Sequence, residues 1–302
     1  MLHTKKNDSD RILFGKYSYK LILPFVCFLF SSNCVTHQPR DTQKLHKNSF
    51  LIIAHRGARH FAPENTMSAF HYAASKNWAF ELDTMFCKSG ELVVIHDETL
   101  ERTTNGKGNV KDFTLDELKK LDAGSFFKES FKSETIPTLE EVLDTFGGKV
   151  IIDIEVKAGK DTAPEIARKT GEEVAKLITK KNLEEKVFVS SFNPLVLEKI
   201  KEINPTIFRA QLYSNFDDVD MAYYKKVALR NLLLNGKASP DILAPDYLLV
   251  DESYLKKYHE LGYKVYPYTV NEPEKMAELL KSEVDGIITD RPDLLEELVK
   301  KK

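Results

Sequence analysis

Residues 51–70 read LIIAHRGARHFAPENTMSAF, and the fold hinges on how the first half of that stretch is taken. Leu51–Ala54 is an apolar run that suits a buried strand. It stops abruptly in His55, Arg56 and Gly57. A strand that only fills a core usually ends in turn chemistry. A strand that ends in ionisable groups can instead present them at a site, and the rest of the chain decides between the two.

Downstream, short runs rich in Val, Ile and Leu alternate with amphipathic stretches. Strands are expected at FLIIAH, AFELD, KVIIDIEVK, VFVSSF, IFRAQLY, YLLV, KVYPYTV and GIITD. Helices are expected at APEIARKTGEEVAKLITKKN, NPLVLEKIKEI, SYLKKYHELG and EPEKMAELLKSE, whose apolar residues recur at helical spacing. Near-continuous apolar strands are buried on both faces, as in a parallel sheet. Eight such strands alternating with helices predict an α/β protein, a closed (β/α)8 TIM barrel of about 250 residues. An open doubly wound sheet fits less well, because no glycine-rich nucleotide fingerprint follows the first strand.

One segment breaks the alternation. Ser89-Gly90 joins AFELDTMF to ELVVIH as a hairpin. The Thr-, Asn- and Gly-rich stretch that follows, with one short helical piece around Leu115 to Leu121, predicts a small insertion at about 97–137, after the second strand. In a barrel it covers the C-terminal end, where active sites lie.

The N-terminus is of another kind. Lys5, Lys6, Arg11, Lys16 and Lys20 precede the apolar LILPFVCFLF of Leu21 to Phe30. That run is too short to cross about 30 Å of hydrocarbon as a helix and fits the core of an export signal. LFSSNC then resembles a bacterial lipoprotein cleavage site with Cys34 as the lipidated residue, although Asn33 stands where Gly, Ala or Ser is usual. The expected organisation is a signal peptide at 1–34, a flexible polar tether at 35–49 and the barrel at 50–302. The protein is expected to be exported, either as a lipoprotein held at a membrane through Cys34 or as a periplasmic or extracellular protein. Of the 3 cysteines only Cys87 falls in the barrel, so no disulfide is available there. With 44 Lys and Arg against 46 Asp and Glu, net charge -2, no global field recruits nucleic acid.

Charged residues at strand ends carry the chemistry. Glu81 and Asp83 stand two apart in one strand and share a face. In a barrel that face is the interior, where two bare carboxylates repel and resist desolvation unless a cation lies between them. Glu155 has the same strand-end setting and adds a third oxygen ligand. An all-carboxylate set suits Mg2+ or Ca2+ better than zinc. His55 and His96 each end an apolar strand and can exchange protons near neutral pH. Arg56 and Lys157 supply positive charge for an anionic oxygen. Together these describe a phosphate-ester site.

The blocks HRGARHFAPENTMSAF, ELDTMFCKSGELVVIHDETLERTTNGKGNVKDFTLDELKKLDAG, IPTLEEVL, IDIEVK, SSFNP, YTVNEP and DGIITDRPD resemble, in order, the motifs of the glycerophosphodiester phosphodiesterase family, from about Phe50 to Leu298. The resemblance implies a (β/α)8 barrel that hydrolyses glycerophosphodiesters to glycerol 3-phosphate and an alcohol with a divalent cation. It implies His55 and His96 as the acid–base pair, Glu81, Asp83 and Glu155 as metal ligands, and Arg56 and Lys157 as phosphate contacts. Where the family commonly has Trp before TVN, this chain has Tyr268, which together with Phe192 is expected to wall the alcohol side. Glu64 and Asn65 either support His55 and Arg56 from behind or simply start a helix. Ser190 and Ser191 either touch substrate or are solvated strand ends. Two other readings stand beside hydrolysis of small glycerophosphodiesters. One is a lysophospholipase D-like hydrolase, favoured if the insertion carries an apolar groove near Phe126, Phe127 and Phe131. The other is a non-catalytic binding protein on the same barrel.

Overall fold

The computed structural model describes residues 37–45, 50–159, 161–217, 220–230, 232–233 and 235–301. The leader and Cys34 lie outside the described residues. Among the described residues nine strands follow in chain order: β1 (Leu51–Ala54), β2 (Ala79–Phe86), β3 (Leu92–Val94), β4 (Ile152–Val156), β5 (Val187–Ser191), β6 (Phe208–Tyr213), β7 (Ile242–Pro245), β8 (Lys264–Val265) and β9 (Gly286–Thr289). The helices are α1 (Met67–Ser75), α2 (Leu115–Leu118), α3 (Leu139–Phe146), α4 (Pro164–Lys180), α5 (Pro194–Ile203), α6 (Tyr223–Arg230), α7 (Asn235–Ala238), α8 (Glu252–Glu260), α9 (Pro273–Lys281) and α10 (Pro292–Lys300).

All strands but β3 pair in parallel, in the order β8-β7-β6-β5-β4-β2-β1-β9. Pro267, which has no N–H, cuts β8 short. Past it, Ile288 N–H donates to the Pro267 carbonyl at 3.0 Å and Val270 N–H to the Ile288 carbonyl at 3.0 Å, so backbone bonds bring β9 back to β8. The result is a nearly closed eight-stranded (β/α)8 barrel, as the alternation predicted. β3 pairs antiparallel with β2, Met85 opposite Val93, which is the expected hairpin.

The two-residue period sorts each strand into an inner and an outer face. Inside, Ile53, Phe188, Phe208, Ile242, Tyr266 and Ile288 form one apolar cluster. Outside, Phe80, Leu82, Ile152, Ile154, Val187 and Val189 pack beneath the helices. Phe80 stacks on Phe70 of α1 at 4.7 Å and meets Phe146 of α3 edge-on at 5.5 Å. Helix α4 approaches α5 closely at Gly171, where a Cβ would stand 2.7 Å from the Val196 carbonyl oxygen. The insertion and the β2–β3 hairpin share a small core of Cys87, Val93, Ile95, Leu100, Val110, Leu118, Ala123 and Ile136.

Two expectations are corrected. The strand expected at YLLV lies one element earlier, at Ile242–Pro245. Residues 247–249 form a 3-10 turn capped by Asp246, whose carboxylate accepts from Leu248 N–H, and Leu248 is 74% exposed. Both runs are apolar, but ILAP pairs with β6 from Ala210 to Tyr213. The described part of the expected flexible tether, 37–45, is not free chain. Arg40 donates to Asp241 at 2.9 and 2.6 Å and to the carbonyls of Pro205 and Ile207 at 2.7 and 2.8 Å. Its guanidinium lies 4.6 Å from the Phe208 ring centroid, and Leu45 is buried in the inner cluster with Leu51 and Ala79. This strap covers the N-terminal floor of the barrel. Among the described residues no helix is long and apolar enough to cross a membrane.

Candidate active site

The C-terminal ends of the strands carry the predicted charged residues into one mouth. Parallel register places Asp83 of β2 beside Glu155 of β4, and Glu81 lies one inward position below Asp83. Ligand oxygens of the three lie within 4.8 Å of one another. Local backbone builds this pocket. Arg56 and Asn65 both adopt left-handed conformations, at φ 54° and 57°, which cost non-glycine residues free energy and cluster at functional sites. The turn at Arg56 aims its backbone N–H at Glu81 Oε2, 2.7 Å away. Gly57, at φ 74°, follows it where a Cβ would lie 2.8 Å from that of Ala69, so only glycine fits. The turn at Asn65 lets its amide clamp Asp83 twice, donating to Oδ2 at 2.8 Å and accepting from the Asp83 N–H at 3.2 Å.

Charge around the triad is finely divided. Burial, with Asp83 and Glu155 adding to it, pushes Glu81 well above the usual carboxylate range. Burial would raise Asp83 too, but Lys157, His96 and Arg56 outweigh it and hold that group at about 2. Lys157 Nζ lies 2.8 Å from Glu155 Oε1 and 3.4 Å from Asp83 Oδ1. Glu81 Oε1 and Asp83 Oδ1 are buried and accept no hydrogen bond. Buried carboxylate oxygens left in that state are costly, and a hard divalent cation is the ligand that relieves them. The residues therefore fit an oxygen-bound cation.

Both histidines are present, each held from behind by a carboxylate. His55 Nδ1 lies 2.7 Å from Asp290 Oδ1, and its Nε2 accepts from Arg56 Nε at 3.3 Å. That places the proton on Nδ1 and a lone pair on Nε2. Asp290 is fixed by Asn271, whose amide donates to Oδ2 at 3.0 Å and accepts from the Asp290 N–H at 2.9 Å. His96 Nδ1 lies 2.6 Å from Asp97 Oδ1. Burial lowers the His96 pKa below the ordinary value. Arg102 clamps Asp97 at 2.6 and 3.0 Å and reaches Glu64 at 2.8 and 2.9 Å. Glu64 also binds Arg56 at 2.7 Å and Arg59 at 2.9 Å. Burial opposes ionisation of Glu64, but these three arginines hold its carboxyl at about 2.

Of the PENT block, Asn65 holds Asp83 rather than His55 or Arg56, Glu64 gathers Arg56, Arg59 and Arg102, and Thr66 caps α1. Ser190 and Ser191 are buried rather than facing substrate. Ser190 Oγ donates to Asp153 at 2.6 Å and Ser191 Oγ to the Val156 carbonyl at 2.9 Å. Phe192 meets Tyr268 edge-on at 5.9 Å and Phe216 at 6.4 Å, and the Tyr268 hydroxyl donates to the Tyr213 carbonyl at 3.1 Å. Sequence reasoning missed Asp290, Asn271, Asp97, Arg102 and Arg59. For Asp290 the signal was available, since GIITD is another apolar strand that ends in a charge. Phe126 and Phe127 of the insertion are exposed, but the apolar groove that adjoins the triad lies across the mouth, between Glu155 and Leu229.

The model of the glycerophosphoryl diester phosphodiesterase family matches residues 55–294. The chain is 42% identical over 253 residues to a glycerophosphodiester phosphodiesterase of Caldanaerobacter subterraneus subsp. tengcongensis, covering 83% of this chain and 98% of that one. It is 35% identical over 267 residues to a glycerophosphodiester phosphodiesterase of Bacillus subtilis, covering 85% and 88%. The structure of an Oleispira antarctica phosphodiesterase in complex with the product sn-glycerol-3-phosphate superposes with a TM-score of 0.71 at 26% identity, covering 85% of this chain and 99% of that one. The chain belongs to the glycerophosphoryl diester phosphodiesterase family.

Proposed function

We propose that this phosphodiesterase hydrolyses glycerophosphodiesters to sn-glycerol 3-phosphate and an alcohol, with one divalent cation, Mg2+ or Ca2+, held by Glu81, Asp83 and Glu155, and with His55 and His96 as acid and base. The observation that carries the reading is the triad itself: three carboxylates within 4.8 Å, two of them with a buried oxygen that accepts no hydrogen bond, between two carboxylate-backed histidines. When bound, the cation neutralises phosphoryl oxygens and draws charge from the reacting phosphorus centre. Lys157, half-buried but kept protonated by Glu155 and Asp83, adds a fixed positive charge, and Arg56 adds a second. One histidine takes the proton of the attacking oxygen at Nε2, and the other delivers a proton to the leaving alcohol oxygen. Asp290 and Asp97 keep each Nε2 turned toward the mouth and stabilise the charged ring while it holds the extra proton.

The test is release of glycerol 3-phosphate from glycerophosphocholine by the protein treated with EDTA, then with Mg2+ or Ca2+ restored. Metal-dependent release supports the reading. Undiminished turnover in EDTA overturns the metal role. The leader further supports an exported enzyme anchored through Cys34. Cys34→Ser should then move activity from the membrane to the soluble fraction, and unchanged partition would overturn the anchor.

A further inference from the structure

The strap under the barrel limits where a lipid at Cys34 can act. Only Val35 and Thr36 separate Cys34 from His37, and three residue steps of fully extended chain reach at most about 11 Å. His37 is already docked, with Nε2 2.8 Å from the Pro240 carbonyl oxygen. Arg40 follows on Asp241, Pro205 and Ile207, and Leu45 is buried beside Leu51 and Ala79. These contacts lie at the N-terminal ends of β1, β2, β6 and β7, opposite the mouth. A lipid at Cys34 therefore brings the floor of the barrel to a membrane surface, close to the distance over which surface charges act, about 8 Å at physiological salt.

That floor carries charge to match. A hollow below the starts of β1, β2, β4 and β5 is lined by Lys44, Lys76, Lys149 and Lys186 against one carboxylate, Glu296. Glu296 is taken by Lys300 at 3.1 Å, and Lys44 by Glu185 at 3.6 Å. Lys76, Lys149 and Lys186 are exposed and, among the described residues, form no ion pair. A lysine at a helix end can serve the helix dipole alone, as Lys76 does at the end of α1. Lys149 and Lys186 stand instead in the turns that lead into β4 and β5. A lysine held near an anionic leaflet strengthens attachment about fivefold.

We infer that the N-terminal floor of the barrel is a membrane-docking face, with anionic lipid head groups against Lys76, Lys149 and Lys186, and that the catalytic mouth opens on the opposite side, toward the aqueous phase. The inference rests on the proposed anchor at Cys34 and adds an orientation to it. An anchor of one or a few acyl chains fixes only a point of attachment, and the basic floor supplies the second contact that fixes which face looks down.

The test takes the protein from the membranes of cells that express the full chain and reconstitutes it on vesicles of phosphatidylcholine and phosphatidylglycerol. A water-soluble amine-reactive reagent, read by peptide mass spectrometry, then compares each lysine on the vesicle and in detergent solution. Lys76, Lys149 and Lys186 should label about fivefold more slowly on the vesicle, while Lys107 and Lys111 of the insertion label alike in both. In about 1 M salt, where charges act over only about 3 Å, that protection should vanish with the protein still on the vesicle. Floor lysines that label on the vesicle as in detergent, protection that salt does not relieve, or protection of Lys107 and Lys111 instead would each overturn the docking face and leave the anchor standing. Protein that does not stay with the vesicles, or carries no acyl group at Cys34, overturns the anchor and the orientation with it. Lys149→Glu combined with Lys186→Glu should bring the labelling of Lys76 on the vesicle up to its rate in detergent, with turnover of glycerophosphocholine unchanged. Full protection of Lys76 in that variant overturns the head-group contact.

Discussion

The two halves of the barrel mouth are built on opposite principles. On the side of β9, β1 and the β2–β3 hairpin, each functional charge is tied to another charge or amide. His55 rests on Asp290, Asp290 on Asn271, His96 on Asp97, Asp97 on Arg102, and Arg102 on the Glu64 that also holds Arg56 and Arg59. On the side of β4 to β6, beyond Glu155 and Lys157, the wall is aromatic and aliphatic. The polar half spends its interactions on fixing geometry before substrate arrives, which is how electrostatic catalysis avoids reorganisation during the reaction. The apolar half imposes shape and dryness with few directional demands. Variants in the first half should therefore damage kcat, and variants in the second should redistribute KM among substrates.

The sharpest break of that contrast comes at the triad. Glu81→Ala or Asp83→Ala should lower metal-dependent turnover by about 10³-fold or more, with the far-ultraviolet circular dichroism unchanged; full activity in either variant would remove the metal site. Next comes Asp290→Ala, which frees the His55 ring and should reduce kcat by about 10²-fold while KM stays within a few-fold. A rise in KM alone would show that Asp290 serves binding rather than positioning.

Glu64→Gln tests whether the arginine hub is structural capital for the polar half. Its carboxyl is held at about 2 in the folded protein, below its unfolded value. The stabilisation is therefore fully present above about pH 4.5 and is lost as pH falls from there toward about 2, amounting to about 3 kcal/mol. Urea unfolding at pH 7 should show the variant less stable by about that much, with the gap closing at acid pH. A constant gap across that window would place the effect elsewhere. The smallest change is expected from Tyr268→Phe, which removes one hydrogen bond to the Tyr213 carbonyl. It should cost about 1 kcal/mol of stability and leave kcat within about threefold; a large loss of kcat would bring Tyr268 into the chemistry.

The same contrast explains what could be read without coordinates. Glu81, Asp83, Glu155, His55 and His96 were legible because each combines an ionisable side chain with an apolar strand, a pattern with few benign explanations when repeated. The partners of those residues were not, because their meaning is tertiary. Nothing in the local sequence of Asp290 points across 235 positions to His55, and Arg102 reads as one more charge in a polar insertion. The misplacement of β7 has the same root. ILAP and YLLV are equally apolar four-residue runs, and only pairing against β6 distinguishes them, with Asp246 between them free to cap a turn. The groove was sought in the insertion because exposed phenylalanines suggested it, whereas its walls come from residues spread over 158–229 that align only when β4, β5 and β6 lie side by side.

The strap beneath the barrel has a consequence in time. Arg40 is bound to Asp241, 201 residues later in the chain, and Leu51 of β1 pairs with Gly286 of β9. During synthesis at about 5–20 residues per second, roughly 10–40 s separate the emergence of Arg40 from that of its partner. Until then the first strand has no neighbour on its β9 side and the floor has no latch. Closure of this barrel is a late event by construction, since both the latch and the β1–β9 seam wait for the last part of the chain.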